Sequence, residues 1–224
     1  MAGSILIVGY NASRTPKMID ELCAEKSPGQ TLVLLTRQSL TDPDPRVRYV
    51  QTENLTSPAA LRRAGAPTAS RILIYAATDA DTLAATLAAA ATAEPAAHIV
   101  CFFEEADNAR LLAQHCPRVE VVVASGAEML VRAAADPGAS HVISALTSRL
   151  DEGATLFCLA WAGEPAPVDD VARRLWSSKA TLLALQSMTA DEPRFNPPSD
   201  LAITRGDRLF YVARSRLDPH LLAA

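Results

Sequence analysis

Six short and almost wholly apolar runs punctuate the first 124 residues, at 4–8, 31–35, 47–50, 71–75, 98–103 and 119–123. Helical patterns at 15–24, 57–64, 79–93 and 106–115 lie between most of them. Runs this apolar predict strands buried on both faces, and their alternation with helices predicts a parallel sheet with right-handed crossovers. The expected fold class is α/β: a Rossmann-like, doubly wound parallel sheet over residues 1–124, ending near Ala124.

The pattern then changes. A short helix is predicted at 127–134 and a second at 141–148, separated by Asp136-Pro-Gly-Ala-Ser140, whose proline and glycine force a turn. An apolar helix pair at the end of a domain is expected to pack on something outside it. Met129, Leu130, Val142, Ile143 and Leu146 are the interface candidates of this crossover segment, 125–150. From residue 151 to 224 the alternation does not return. Strands at 155–161, 181–188 and 208–213, with a helix at 167–176 and a Gly206-Asp207 turn, predict a small α+β lobe. Trp176 on that helix either anchors a partner or fills the lobe's own core.

Composition narrows the classes. A net charge of −4 removes the electrostatic case for nucleic acid. No apolar run approaches the roughly 20 residues that span a bilayer; the longest, 83–93, is rich in Ala and Thr and short. The N-terminus carries no basic segment ahead of its apolar run, so a signal peptide is not expected. Cys23, Cys101, Cys116 and Cys158 are widely and irregularly spaced, as expected of thiols in a reducing cytoplasm rather than a metal or disulfide framework. Four histidines, at 98, 115, 141 and 220, do not cluster, and no Ser/His/Asp or Cys/His arrangement is visible. An enzyme is not expected.

The chemistry-bearing segment is the turn after the first strand, Val8-Gly-Tyr-Asn-Ala-Ser-Arg14. It has the strand-to-helix context of a G-x-G-x-x-G dinucleotide fingerprint, in which the glycines make the turn, admit a pyrophosphate and pack helix on strand. Gly9 stands at the first position, but Asn11 and Arg14 occupy the second and third. Backbone N–H groups around Gly9, Tyr10, Asn11 and Ser13 and the start of the following helix suit an anion, and Arg14 suits a phosphate. The alternative is a turn without ligand. At the end of the second strand, where ribose recognition wants a carboxylate, the chain has Thr36-Arg37 and no acid before Asp42. Arg37 stacks on adenine, meets a phosphate or is simply solvated. Ala76 and Thr78, beyond the fourth strand, would line the crevice; Thr78 and Asp79 also suit a helix cap. A ligand smaller or more loosely held than NAD is expected.

The ordering and punctuation resemble the regulator-of-potassium-conductance (RCK) family, the pair of TrkA-N and TrkA-C domains. The resemblance is distributed: Val8-Gly-Tyr-Asn11 with Ile19-Asp-Glu-Leu22; Gln51-Thr-Glu-Asn-Leu-Thr56 and Leu61-Arg-Arg-Ala-Gly65; Ala69-Ser-Arg-Ile-Leu-Ile-Tyr-Ala-Ala-Thr-Asp79; the helix pair; and Phe195-Asn-Pro-Pro-Ser-Asp200 with Arg205-Gly-Asp-Arg-Leu-Phe-Tyr-Val212. It covers the whole chain.

What the resemblance implies is a ligand-sensing gating domain on the cytoplasmic face of a membrane, partnered with itself as a homodimer within a tetrameric or octameric ring, and with a potassium channel pore. The implied ligand is an adenine nucleotide of the ATP, ADP or NAD kind. In calcium-gated relatives carboxylates after the fourth and fifth strands form a cation site; the matching positions here are Ala76, Phe102 and Glu104, so no metal is expected, with Glu104 the one weak candidate. Two rival readings stand beside this: a free-standing nucleotide-binding subunit of a Trk/Ktr-type potassium transporter, which the length and the starting Met1 also suit, and an NAD(P)-dependent oxidoreductase.

Overall fold

A computed structural model of the chain describes residues 3–150, 153–219 and 222. Asp151 and Glu152, at the expected start of the C-terminal lobe, and His220 lie outside the described residues. The chain divides into two compact units, Met1–Glu128 and Met129–Ala224.

The first unit is built on six parallel strands: β1 (Ser4–Val8), β2 (Leu32–Thr36), β3 (Val47–Gln51), β4 (Ala69–Ile74), β5 (His98–Phe103) and β6 (Val119–Val123). They lie in the Rossmann order β3-β2-β1-β4-β5-β6. β1 shows why the sequence signal is so apolar. Ile5 and Ile7 face one core cluster, Leu6 and Val8 the other, and all four are fully buried. Removing side chains of this size from water contributes roughly 1.5–3 kcal/mol each, so a polar residue on either face of this strand is costly.

Helix α1 (Thr15–Glu25) packs with Ile19 on one face of the sheet. On the other lie α2 (Pro58–Ala64), α3 (Asp79–Thr92) and α4 (Ala106–His115), which contribute Leu61, Ala85, Ala89 and Leu112 to the larger cluster. The buried stripe of α3 is Thr82, Ala85, Thr86 and Ala89, small side chains that let the helix lie close to the sheet; Thr86 satisfies its hydroxyl on the Thr82 carbonyl at 2.7 Å. No helix joins β2 to β3. The connection, 37–46, carries Pro43 and Pro45, each lacking an amide donor and disfavouring helix in the residue before it.

Helix α5 (Gly126–Ala135) runs across the boundary between the units and is followed by α6 (Ala139–Thr147). Gly138 makes the turn between them at φ 94°, in the left-handed region. Neither helix buries any residue within the chain. Leu130, Val131 and Val142 are 73%, 66% and 59% exposed; Met129, Ile143 and Leu146 are partly buried.

The rest of the second unit is an antiparallel sheet of β7 (Thr155–Ala160), β9 (Thr181–Gln186), β10 (Arg194–Phe195) and β12 (Arg208–Ala213), in the order β10-β9-β12-β7. A separate two-stranded ladder joins β8 (Ala166–Pro167) to β11 (Ala202–Ile203). Helix α7 (Val168–Ser177) buries Val168, Val171 and Leu175, a spacing that sets one face inward. The Gly206-Asp207 pair has a physical role. The buried Asp207 carboxylate accepts hydrogen bonds from the Thr204 N–H (2.7 Å), the Thr204 hydroxyl (3.0 Å) and the Met188 N–H (3.1 Å), fastening two loops to the start of β12. The core tryptophan is Trp161, whose indole N–H reaches the Glu164 carbonyl; Trp176 is 74% exposed. Of the two sequence readings of Trp176, burial in its own lobe is therefore excluded.

Candidate functional site

In a sheet of this order the chain reverses its winding between β1 and β4, and ligands of open α/β folds bind beyond the strand ends at that point. Gly9 makes the turn out of β1 at φ 97°. A Cβ there would lie 2.7 Å from Cα of Ala76 and closer still to the Tyr75 carbonyl oxygen. The close approach of the β1 turn to the end of β4 therefore requires glycine on two grounds, dihedral and steric. Ala76 is itself buried, and its N–H is held by the Thr82 hydroxyl at 3.1 Å.

Asn11 explains what replaced the second glycine. Its side-chain oxygen accepts the Ser13 N–H (3.1 Å), the Ser13 hydroxyl (2.7 Å) and the Arg14 N–H (3.2 Å). Its own N–H donates to the buried Thr15 hydroxyl at 2.8 Å. The Asn11 oxygen thus takes up within the chain the N–H donors that this kind of turn offers to an anion. Tyr10 goes elsewhere. It packs with the α1-face core and lines a cavity of about 650 Å³, together with Pro16, Leu40, Arg46 and Tyr49, beneath the helix-free β2–β3 connection.

Arg14 crosses the end of β4. Its guanidinium lies 5.1 Å from the Phe102 ring centroid and 5.6 Å from that of Tyr75, and 3.4 Å from the Glu104 carboxylate. The two rings meet edge to face at 4.9 Å, and the Tyr75 hydroxyl donates to Glu104 at 2.9 Å. Burial, and then this hydrogen bond, push the Tyr75 phenol above its ordinary value. Glu104, the remaining carboxylate of the cation-site positions, is thus engaged by a phenol and a guanidinium. Among the described residues no group of three His, Cys, Asp or Glu is placed to hold a metal.

The second tie spans β1 itself. Thr36, where a ribose-binding carboxylate would stand, is 1% exposed and its hydroxyl accepts the Gln38 N–H at 3.0 Å. Arg37 next to it reaches Asp81 at the start of α3, with 2.6 Å between Nη2 and Oδ2. That guanidinium, and then the Thr78 hydroxyl, hold the Asp81 carboxyl below the usual range despite some desolvation. Thr78 also accepts the Asp81 N–H at 3.1 Å and so caps α3.

Asp79 departs from expectation. It does not cap its own helix but accepts the N–H groups of Glu104 and Glu105 and the Asn108 side-chain amide, each at 3.0 Å, at the start of α4. Glu105, the N-cap residue of α4, provides no side-chain cap, which leaves those donors for Asp79. Burial raises the Asp79 pKa, but these three hydrogen bonds outweigh it and hold the carboxyl below its ordinary value.

Gly9, Asn11, Ser13, Arg14, Thr36, Arg37, Ala76 and Thr78 therefore lie at or just beyond the carboxyl ends of β1, β2 and β4, whereas Tyr10 turns to the α1 face. Sequence reasoning missed Asp81 and the Tyr75–Glu104 pair. Their partners are 29 to 90 residues away in the chain (44 for Arg37–Asp81, 90 for Arg14–Glu104), so only the strand order brings them together.

No family model and no curated protein matches the sequence. Solved structures do. The human SLO3 gating ring aligns over 95% of this chain with a TM-score of 0.65 and 14% identity, and the GsuK channel over 94% with 0.50 and 19%. The chain covers 44% and 36% of those proteins, so it spans less than half the length of either. GsuK has also been solved bound to NAD, at TM-score 0.49 and 20% identity, a likeness too loose to place a ligand in this chain. In fold, the chain is similar to the human SLO3 gating ring and to the GsuK channel, a likeness built on the Rossmann-like order of its parallel sheet.

Proposed function

We propose that the chain is a regulatory domain of the RCK family rather than an enzyme. It acts on the cytoplasmic face of a membrane, where it binds an adenine nucleotide at the β1–β4 crevice. As a homodimer within a tetrameric or octameric ring it controls potassium conductance. The observation that carries this reading is the α5–α6 pair: in a chain with the fold of a gating ring, two successive helices bury none of their residues and expose Leu130, Val131 and Val142. Large apolar side chains left exposed on two successive helices suit burial against a second copy.

The crevice supports a switch. Asn11 accepts from the turn donors, Glu104 holds Arg14 and Asp81 holds Arg37. Both ion pairs are partly exposed, with side chains 33–49% accessible. Exposed pairs of this kind contribute only about 0–1 kcal/mol, so a nucleotide phosphate can displace Glu104 or Asp81 at little cost. Displacement would free Glu104 and Asp81 and shift the start of α4 and of α3 together. A ligand that favours one ring state by a typical coupling of about 1–3 kcal/mol would then bias the pore.

Light scattering across micromolar concentrations tests the assembly; a dimer or a multiple of it is expected, and a strict monomer overturns the reading. A thermal-shift screen of ATP, ADP, AMP, NAD and NADH tests the ligand, since binding to the native state raises the midpoint by mass action. Silence from every nucleotide would remove the sensor role.

A further inference from the structure

The end of β2 bears on which adenine nucleotide the proposed site would take, an inference that rests on the nucleotide reading above. Where ribose recognition calls for a carboxylate accepting two hydroxyl hydrogens, the chain has Thr36, buried and with its hydroxyl already engaged by the Gln38 N–H. The next residue is Arg37, whose guanidinium is 43% accessible and held by a single carboxylate, Asp81, across the end of β1. Thr78 shares that carboxylate at 3.1 Å. A guanidinium beside the ribose position does not recognise a hydroxyl pair well. It matches a phosphate, which it binds through two parallel N–H donors. The missing carboxylate has the same sign of effect, because an acid at that position repels a phosphate on the ribose.

We propose that Arg37 makes the crevice selective for adenosine carrying a 2′-phosphate, the chemistry of NADP and of 2′,5′-ADP, and that Asp81 is the internal anion that holds Arg37 when the site is empty. The phosphate takes the guanidinium from Asp81, so ligand and carboxylate compete for one cation. This competition gives the two residues opposite effects on affinity, which a purely structural ion pair would not.

Calorimetry on the full chain with NADP⁺, NAD⁺, 2′,5′-ADP and 5′-ADP tests it, with inorganic phosphate as a control for anion binding without the nucleoside. The expected result is NADP⁺ at least about tenfold tighter than NAD⁺, and 2′,5′-ADP tighter than 5′-ADP, consistent with one good charge-assisted phosphate contact. Arg37→Ala should bring the NADP⁺/NAD⁺ ratio close to one, Arg37→Lys should leave an intermediate ratio, and Asp81→Asn should raise it. Circular dichroism of each variant checks that the fold persists. Equal or tighter binding of NAD⁺, or a ratio unmoved by Arg37→Ala, overturns the inference while leaving the nucleotide site in place. Inorganic phosphate binding as tightly as 2′,5′-ADP also overturns it. If none of the four nucleotides binds, the sensor reading fails first and this one with it.

Discussion

At the carboxyl ends of β1, β2 and β4 the groups proposed to meet an anion have partners within the chain: Asn11 for the turn, Glu104 for Arg14, Asp81 for Arg37. At the α5–α6 pair the opposite holds, and Leu130, Val131 and Val142 face outward with no cover from the chain itself. The contrast follows from the chemistry of the groups. Buried or half-buried polar groups without partners cost more than they return, so these groups pair within the chain. Apolar side chains have no such remedy within a small unit and must be covered by another surface. The polar groups are thus satisfied within the chain, while the apolar ones at α5–α6 are not covered by it.

That comparison breaks most visibly at the helix pair. Placing charges there, Leu130→Asp with Val142→Asp, should weaken self-association by about a hundredfold or more, since each change removes roughly 1.5–3 kcal/mol of apolar burial and adds a charge. Light scattering should show a monomer whose circular dichroism is unchanged. A smaller effect is expected at the crevice. Gly9→Ala forces a left-handed dihedral on a residue with no room for its Cβ. Strain of this kind costs about 1–3 kcal/mol, and the thermal midpoint should fall by several degrees.

Asp79 should come next. Asp79→Ala strips two N–H groups at the α4 start of their acceptor, for a loss of about 1 kcal/mol. Its pH dependence has a definite sign. The folded carboxyl titrates below its ordinary value of 3.8, so the unfolded chain takes up the proton first. The stabilisation is therefore fully present above about pH 4, near that ordinary value, and is lost as pH falls through the lower folded value. Asp81 contributes with the same sign. Stability followed by circular dichroism should fall as pH drops below about 4 in the wild-type chain, whereas Asp79→Asn should start less stable at neutral pH and flatten this part of the profile. The smallest effect expected is from Asn11→Ala. It frees the Ser13 and Arg14 N–H groups, and should lower the thermal midpoint slightly while tightening nucleotide phosphate several-fold.

Much of the sheet was legible because β1, β2 and β5 are apolar on both faces, which few other contexts tolerate. β6 and the stretch 106–115 even kept their ends. The two-residue strands β8, β10 and β11 were not legible, since two residues carry no period. Within the site, Gly9 and the altered positions 11 and 14 could be read from spacing. What Asn11 does with its oxygen could not, because Asn serves as turn former, cap or ligand contact with the same local sequence. Asp79 shows the same limit: a helix-start acid next to Thr78 reads as a cap for its own helix, and only the neighbouring strand order places it on α4.

In the function proposed above, nucleotide binding at the β1 turn and self-association through α5–α6 are coupled. Hydrogen exchange on the full chain, with and without saturating NADP⁺, NAD⁺ or ADP, tests it most directly. A bound nucleotide is expected to slow exchange at residues 9–15 and also to change protection across 126–147. Slower exchange at the β1 turn with no change anywhere in α5 or α6 would contradict it.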